Sequence, residues 1–544
     1  MMQNFTSILS KVQQLQAQHP SFANSTLIAL SEAAQLNVDA EAQLDNLAIK
    51  SCLARTPENM LELQTLIRQI CDKDLAFGLS YCLTSFMAAT NIWLAGNDYQ
   101  RGLLADIFAK NGVISIAYHE PAHGNDLAAN QFQAIATEGG FLLSGHKHVV
   151  NNVHRADAIV IFARTGGSHP ARQHTLFLIP RDYLVEPQFS LCERVTPQGV
   201  NSCHITGFEC KQLFIPTSCQ LGELGFAVEY ALRAFQITRT LLPGISLGTV
   251  QTAFNQVSDF AQQRVLYGKK IALLPHVSDQ LTQCGSNLFI AQAMTEGLSR
   301  GLHLCPDKMA AYSAANKYFV PKLMRQTLKQ LASVYGARYY LRGSLFEKIL
   351  RDYQVVNFGH AGSLVCQASL IAQLDKLLAP SKTEAVWLWQ DLPKFDMTSL
   401  RLGVRRGCVI LASLDQMLER IAEIKDIPDE DKTVFHDAIV RCLAHVQSLK
   451  QQPVTESNAG LLSYQYCLLL AATCLIQQYI SAPTAPIERY TQALTQITRL
   501  LHSPYADFKS VFRLGQDLGH TSSTDTLAGQ SERFYRSTPF YYTL

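Results

Sequence analysis

The chain has 544 residues, 47% of them apolar and 17% charged, with a net charge of +2. This composition excludes a disordered polar chain, and the near balance of charge leaves no electrostatic footprint for a nucleic acid. At roughly 100–200 residues per domain, the length asks for three or four domains. The opening residues lack a basic stretch followed by an apolar one, so no secretory leader is expected. The 14 cysteines form no CxxC pair, and Cys203 with Cys210 fits no common zinc spacing. They read as mostly buried free thiols of a reducing compartment, with a cytoplasmic location as the expectation.

Residues 1–112 read as a helical domain, with apolar residues three and four apart at Leu61, Leu63, Ile67 and Ile70. Over 113–225 the texture changes to short β-branched and aromatic runs at 141–143, 158–163, 175–179 and 212–215, separated by Gly, Asn, His and Pro. That predicts an antiparallel β domain. Helix returns over 226–379, where Val250, Phe254, Val257 and Ala261 share one face. Pro380, Ser381, Lys382 and Pro393 then punctuate the chain, and 380–515 reads as an additional helical domain. Within it the greasy stretch 459–480 is interrupted by Ser463, Gln465, Gln477 and Gln478. A buried bundle helix is the expectation there, with membrane contact as the alternative. Residues 516–544 read as a tail rich in Ser, Thr and Gly, up to Phe540, Tyr541 and Tyr542. The fold class is therefore α+β and mostly α, with strands and helices segregated. That arrangement suits neither a doubly wound sheet nor a barrel.

Five separated segments carry a resemblance. Gly96-Asn97-Asp98-Tyr99-Gln100, followed by Leu103-Leu104, precedes the β domain. Ala117-Tyr118-His119-Glu120-Pro121-Ala122-His123-Gly124-Asn125-Asp126 opens it. Gly145-His146-Lys147 follows, with Asn151-Asn152, Ala156-Asp157 and Ala163-Arg164-Thr165. The fourth is Phe214-Ile215-Pro216 with Leu221-Gly222, Gly225 and Arg239. The fifth is Arg264-Val265-Leu266-Tyr267-Gly268, with Val334-Tyr335-Gly336 and Leu350-Arg351-Asp352 downstream. In this order the segments resemble the acyl-CoA dehydrogenase family of flavoproteins. The resemblance implies an N-terminal helical domain, a middle β domain and a C-terminal four-helix bundle, with 380–544 as a C-terminal extension.

The resemblance also implies FAD and a dehydrogenation of adjacent carbons in an acyl thioester on CoA or a carrier protein, as in fatty acid metabolism. A base takes the α-proton while the flavin accepts hydride. It places Tyr118, His119, Gly124, Asn125, Val150 and Asn151 along the flavin. Arg264 would meet the diphosphate of the neighbouring subunit's FAD, Tyr267 beside it is a further cofactor-binding residue, and Gly336 lies in a reduced glycine loop. Pro275 stands where the family has Gln. The family's usual Glu, nine residues after the Arg of L-x-R-D, falls on His360, and the minority position falls on Thr238. Three readings follow: His360 is the base, with Arg239 beside the thioester; or the protein is a monooxygenase using His119 and His360 with reduced FMN or FAD as co-substrate; or it is a non-catalytic relative. An electron acceptor or oxygen and a homodimer or homotetramer complete the expectation, with no nucleic acid partner.

Two further signals are set aside. Gly244-Ile245-Ser246-Leu247-Gly248 matches a nucleophile elbow as text, but that elbow needs a preceding strand and Pro243 starts a helix here. His146, His148 and His154 lack a third or fourth ligand at metal geometry, so no metal is expected. Asp352 with Arg351 reads as a structural ion pair.

Overall fold

The computed structural model describes residues 52–110, 112–167, 169–359, 362–379, 384–423 and 429–502. They fall into two compact units. The first holds the described residues up to Cys366 together with Asp391–Arg401, and the second holds Gln367–Gln390 and the residues from Leu402 onward.

The first unit opens with α1 (Met60–Lys73), α2 (Leu75–Gly78), α3 (Thr84–Ala95) and α4 (Asp98–Ala109). Met60, Leu63, Ile67 and Cys71 recur at helical spacing, and all four are buried. The Gly96–Gln100 motif has a clear local cause. Asn97 and Gln100 form a capping box at the start of α4, and the Gln100 amide then donates to Ser218 O (3.1 Å) and Gln220 O (2.8 Å). One turn thus starts a helix and ties it to the β domain.

That domain contains β1 (Ile114–Ala117), β2 (Gln133–Thr137), β3 (Gly140–Asn151), β4 (Ala158–Arg164), β5 (His174–Pro180), β6 (Phe189–Leu191), β7 (Ile205–Pro216) and β8 (Gln220–Leu221). The sheet order is β6-β7-β3-β2-β4-β5-β8, with β1 on β4. The sheet is mixed rather than antiparallel throughout, which corrects the sequence expectation. β1 runs parallel to β4, and β2 meets β4 in a parallel pairing at its end. Parallel strands need a long crossover, and residues 118–157 supply it. Phe132, Leu143, Val150, Ile159, Ile161, Phe177, Phe208 and Leu213 fill one core under the sheet.

The chain then forms α5 (Ala227–Leu241), α6 (Pro243–Gln263), the hairpin β9 (Val265–Leu266) and β10 (Lys269–Lys270), α7 (Pro275–Leu304), α8 (Met309–Tyr335), α9 (Leu345–Asp352) and α10 (Ser363–Leu378). Ser246 lies inside α6, fully buried, and accepts the Tyr353 hydroxyl at 2.9 Å. Its flanking glycines serve packing. A Cβ on Gly248 would stand 2.1 Å from Arg68 O, so α1 and α6 touch backbone to backbone there. Pro275 occupies the first turn of α7, where its missing N–H costs nothing.

The ion pair expected between Arg351 and Asp352 is a minor contact, at 3.9 Å. Lys348 replaces it. Its Nζ lies 2.7 Å from Asp352 Oδ2 and 2.8 Å from Asp74 Oδ2, all three groups being buried. Asp352 Oδ1 also accepts Val200 N at 2.6 Å, and Asp74 Oδ1 accepts Phe77 N at 2.8 Å. One buried charge cluster therefore joins the N-terminal helices, the β domain and α9.

The second unit contains α11 (Leu414–Glu423), α12 (Asp429–Gln451), α13 (Ala459–Ser481) and α14 (Ile487–His502). By length and composition α13 is apolar enough to cross a membrane, yet 83% of its apolar window is buried within the protein. Its polar residues are satisfied locally: Gln477 accepts Leu388 N (2.7 Å) and donates to Val386 O and Ser413 Oγ. Apart from Cys82, the cysteines in the described ranges are free thiols, buried except for Cys52 and Cys192. The expectations at His360, Ala361 and 516–544 lie outside the described residues.

Candidate functional site

β1 ends at Ala117, and the loop that follows carries most of the expected flavin-side residues. Tyr118 is buried, with its hydroxyl donating to Asn91 Oδ1 and its ring 5.5 Å from Phe162 and 6.0 Å from Phe235. Burial pushes the phenol far above its ordinary range. The Tyr118 side chain is thus committed to the interior. His119 Nδ1 lies 2.9 Å from Gly124 O, closing the loop on itself. Burial lowers the His119 pKa, and Lys147 adds to that against the hydrogen bond. A neutral ring that donates from Nδ1 leaves Nε2 as an acceptor. Gly124 takes φ +55 and has open space where a Cβ would stand. Asn125 is half-buried beside it.

A fully buried lysine holds this loop. Lys147 on β3 donates to Tyr118 O (3.1 Å), Glu120 Oε1 (3.1 Å) and Asn130 Oδ1 (3.0 Å). Burial lowers the Lys147 pKa to about 8, against the pull of Glu120. Glu120 also accepts Gln131 N and Phe132 N, both at 2.9 Å. Asn130 Nδ2 returns to Tyr118 O at 2.7 Å, and His174 Nε2 lies 3.2 Å from Asn130 O. Each donor of the lysine is used, as a buried ammonium requires.

The end of β3 faces the first helices. Val150 is buried in the sheet core, so its side chain is not available to a ligand. Asn151 Nδ2 donates to Thr84 Oγ1 at 2.8 Å, while its Oδ1 is buried without a partner. Ser115 Oγ donates to Asn151 O at 2.8 Å, which ties β1 to β3.

Arg239 on α5 is buried and lies over the Phe235 ring at 4.8 Å, one aromatic away from Tyr118. Thr238 turns its hydroxyl back to Ala234 O. Arg264, Tyr267 and Gly336 form a separate group. Arg264 ends α6 and is exposed, Tyr267 is 94% exposed at φ +53, and Gly336 ends α8 at φ +64 with open space around it. Phe260 joins the two ends, 5.0 Å from Tyr335 and under the Arg338 guanidinium at 4.9 Å. Arg264 follows the last residue of α6, which is about 30 Å long at 1.5 Å per residue, whereas the Phe235 that Tyr118 meets lies on α5, before α6 begins.

The three histidines do not converge. His146 stacks on His148 at 5.6 Å and meets Glu209 at 3.3 Å. His154 stacks on His204 at 3.5 Å, and its pKa falls to about 4 through burial, His204 and nearby arginines. Among the described residues no group of His, Cys, Asp and Glu can hold a metal. His360 lies outside the described residues. Sequence reasoning missed Glu120, Asn130 and His174 as site-shaping groups. Glu120 and Lys147 sit inside recognised motifs, whereas nothing local marks Asn130 or His174.

Residues 115–213 match the acyl-CoA dehydrogenase middle domain, and 226–374 match the acyl-CoA dehydrogenase C-terminal domain. Among curated proteins, the 3-(aryl)acrylate reductase of Clostridium sporogenes is 21% identical over 313 residues, covering 57% of this chain and 82% of that protein. Among solved structures, butyryl-CoA dehydrogenase from Megasphaera elsdenii aligns with a TM-score of 0.59 at 17% identity, covering 62% of this chain and 90% of that one. The prolyl acyl carrier protein oxidase AnaB aligns with a TM-score of 0.53 at 18% identity, covering 66% and 98%. Likeness at these identities is a likeness of fold. With the motifs in order, a β domain between helical domains and both domain models matched, the chain belongs to the acyl-CoA dehydrogenase family.

Proposed function

We propose that the protein is an FAD-dependent oxidoreductase of acyl thioesters, on CoA or a carrier protein. The observation that carries this reading is the loop after β1, braced from beneath by Lys147, together with the unpartnered Asn151 Oδ1 at the end of β3. Both suit a heterocycle with hydrogen-bonding edges, and the open Gly124 lets it approach the backbone. Residues 118–119, 124–125 and 150–151 would hold the ring, Tyr118 and Val150 through their main chain only. Arg264, Tyr267 and Gly336 are too far along α6 to serve the same end of one cofactor, which supports a role for them toward a second copy of the chain. The bound flavin supplies the two-electron acceptor.

The chain's own residues supply position and proton handling. Lys147 and Glu120 fix the loop before any ligand arrives, so no reorganisation is needed as charge develops. A neutral His119 Nε2 can accept a hydrogen bond at the same edge. Arg239 adds fixed positive charge one ring away. The proton acceptor is assigned from spacing alone, to His360; the carboxylate usual in the family is absent at 360 and at Thr238. A homodimer in the cytoplasm, passing electrons to an external acceptor, completes the reading.

A second reading is a monooxygenase, favoured by the neutral His119 on the loop itself. The test is the visible spectrum of the purified protein, followed by anaerobic addition of butyryl-CoA or glutaryl-CoA to the His360→Gln variant and the wild type. Retained flavin that bleaches only in the wild type is expected. A colourless protein that takes up no added FAD refutes the proposal. Oxygen consumption that depends on an external flavin reductase moves the assignment to the monooxygenase.

A further inference from the structure

Two buried cations on helices of the first unit have no carboxylate beside them among the described residues. Arg239 on α5 and Lys317 on α8 are 7% and 2% exposed. Among the described residues neither forms an ion pair with a carboxylate. Elsewhere this protein pairs its buried lysines carefully: Lys147 has Glu120, and Lys348 has both Asp74 and Asp352. Lys317 has one backbone carbonyl, Val356 O at 3.0 Å. Arg239 has the face of Phe235, and its Nε meets no acceptor. Burial depresses the Lys317 pKa, and Arg239 adds to that. An uncompensated buried charge costs several kcal/mol, which a counter-charge would relieve.

Further polar atoms around them lack partners. Ser313 Oγ lies one turn before Lys317 on α8, and Asn357 Nδ2 follows Val356; both are buried and unsatisfied. Asn316 Nδ2 donates to Thr240 O at 2.8 Å, which holds α8 against α5 beside both cations. Two cations, a hydroxyl and an amide N–H with unmet hydrogen-bonding capacity form a receptor for an anion. A carboxylate suits it: its two oxygens can accept from donors on α5 and α8, and its charge offsets one of the two cations. A phosphate dianion would lose far more hydration in so buried a place.

We propose that Arg239 and Lys317 bind a carboxylate on the acyl part of the substrate, so that the substrates are acyl thioesters with a second, ionised carboxyl group rather than plain fatty acyl chains. This rests on the thioester reading above, and the position supports it: Phe235 lies under Arg239 and 6.0 Å from Tyr118, which puts the charge one ring from the loop proposed for the flavin.

The experiment is calorimetric titration of the full chain with the glutaryl and hexanoyl thioesters of N-acetylcysteamine, which match in length and differ in one charge. The glutaryl ester is expected to bind at least about tenfold more tightly, as charge-assisted hydrogen bonds in a buried site require. Arg239→Gln and Lys317→Met are each expected to collapse that ratio toward one. Equal affinities in the wild type, no binding of either ester, or a ratio that survives both substitutions overturns the proposal. Flavin content is read separately by absorbance. A charge preference without flavin removes the redox reading and leaves the receptor standing, and flavin without the preference does the reverse.

Discussion

Replacing Lys317 by methionine tests the energetic side of this unpaired charge. Burial lowers the Lys317 pKa from its ordinary 10.5 to about 8, with Arg239 adding to the shift and Cys366 opposing it. The native state therefore releases its proton at lower pH than the unfolded chain. Below pH 8 the charge is present in both states and its full cost is felt; as pH rises from about 8 toward 10.5 the cost is progressively relieved. The shift corresponds to about 3 kcal/mol at neutral pH. Methionine keeps the length of the stem and removes the charge, but it leaves Val356 O without its donor, at a cost of about 1 kcal/mol. The variant should thus be more stable than the wild type by about 2 kcal/mol at pH 7, and the advantage should vanish toward pH 10. Thermal unfolding of both proteins across pH 7–10 reads this as a gap of a few degrees that closes with rising pH. A variant that melts at or below the wild type at pH 7, or shows the same pH slope, refutes the picture of a charged, uncompensated lysine.

Asp352→Asn should lower the unfolding midpoint by the equivalent of about 3 kcal/mol, because it leaves Lys348 half-paired and weakens the acceptor of Val200 N; denaturant titration checks this. Gly248→Ala should destabilise sharply, since its Cβ would stand 2.1 Å from Arg68 O, whereas Gly285→Ala on α7 meets nothing nearer than 3.6 Å and should be neutral or gain up to about 1 kcal/mol. Equal midpoints for those two variants would contradict the backbone contact. For Glu120, burial works to raise the pKa, but Lys147 and two backbone N–H groups outweigh it and hold the carboxyl below its ordinary range. Its stabilisation is present above the ordinary carboxylate pKa and is lost as pH falls through the lowered one. Glu120→Gln should therefore melt lower than the wild type at pH 7 and approach it in acid, as melting curves from pH 7 to 3 would show.

Local periodicity and motif order carried the architecture. Runs at 141–143, 158–163, 175–179 and 212–215 all fall in strands, and the 250–261 face is buried at Val250, Val257 and Ala261, because period-2 and period-3.6 burial are written in neighbouring residues. The short strands β1, β2, β6 and β8 were not legible, since a few residues carry too little pattern. The parallel β1–β4 pairing was hidden for a different reason: direction depends on the crossover between strands.

By itself the sequence determined the family and the order of helical and β regions, and it named the segments for which we propose contact with flavin, since each is a contiguous string. Only the tertiary structure decided which side chains in those segments are available. Tyr118 and Val150 face inward, Lys147 becomes the brace of the loop, and Asp352 pairs with Lys348 rather than Arg351. It also decided that the chain changes unit inside α10, and that Arg239 and Lys317, distant in sequence, flank the Asn316–Thr240 hydrogen bond with no carboxylate paired to either among the described residues. A charge is costly or useful according to what surrounds it, and those surroundings come from residues far apart along the chain.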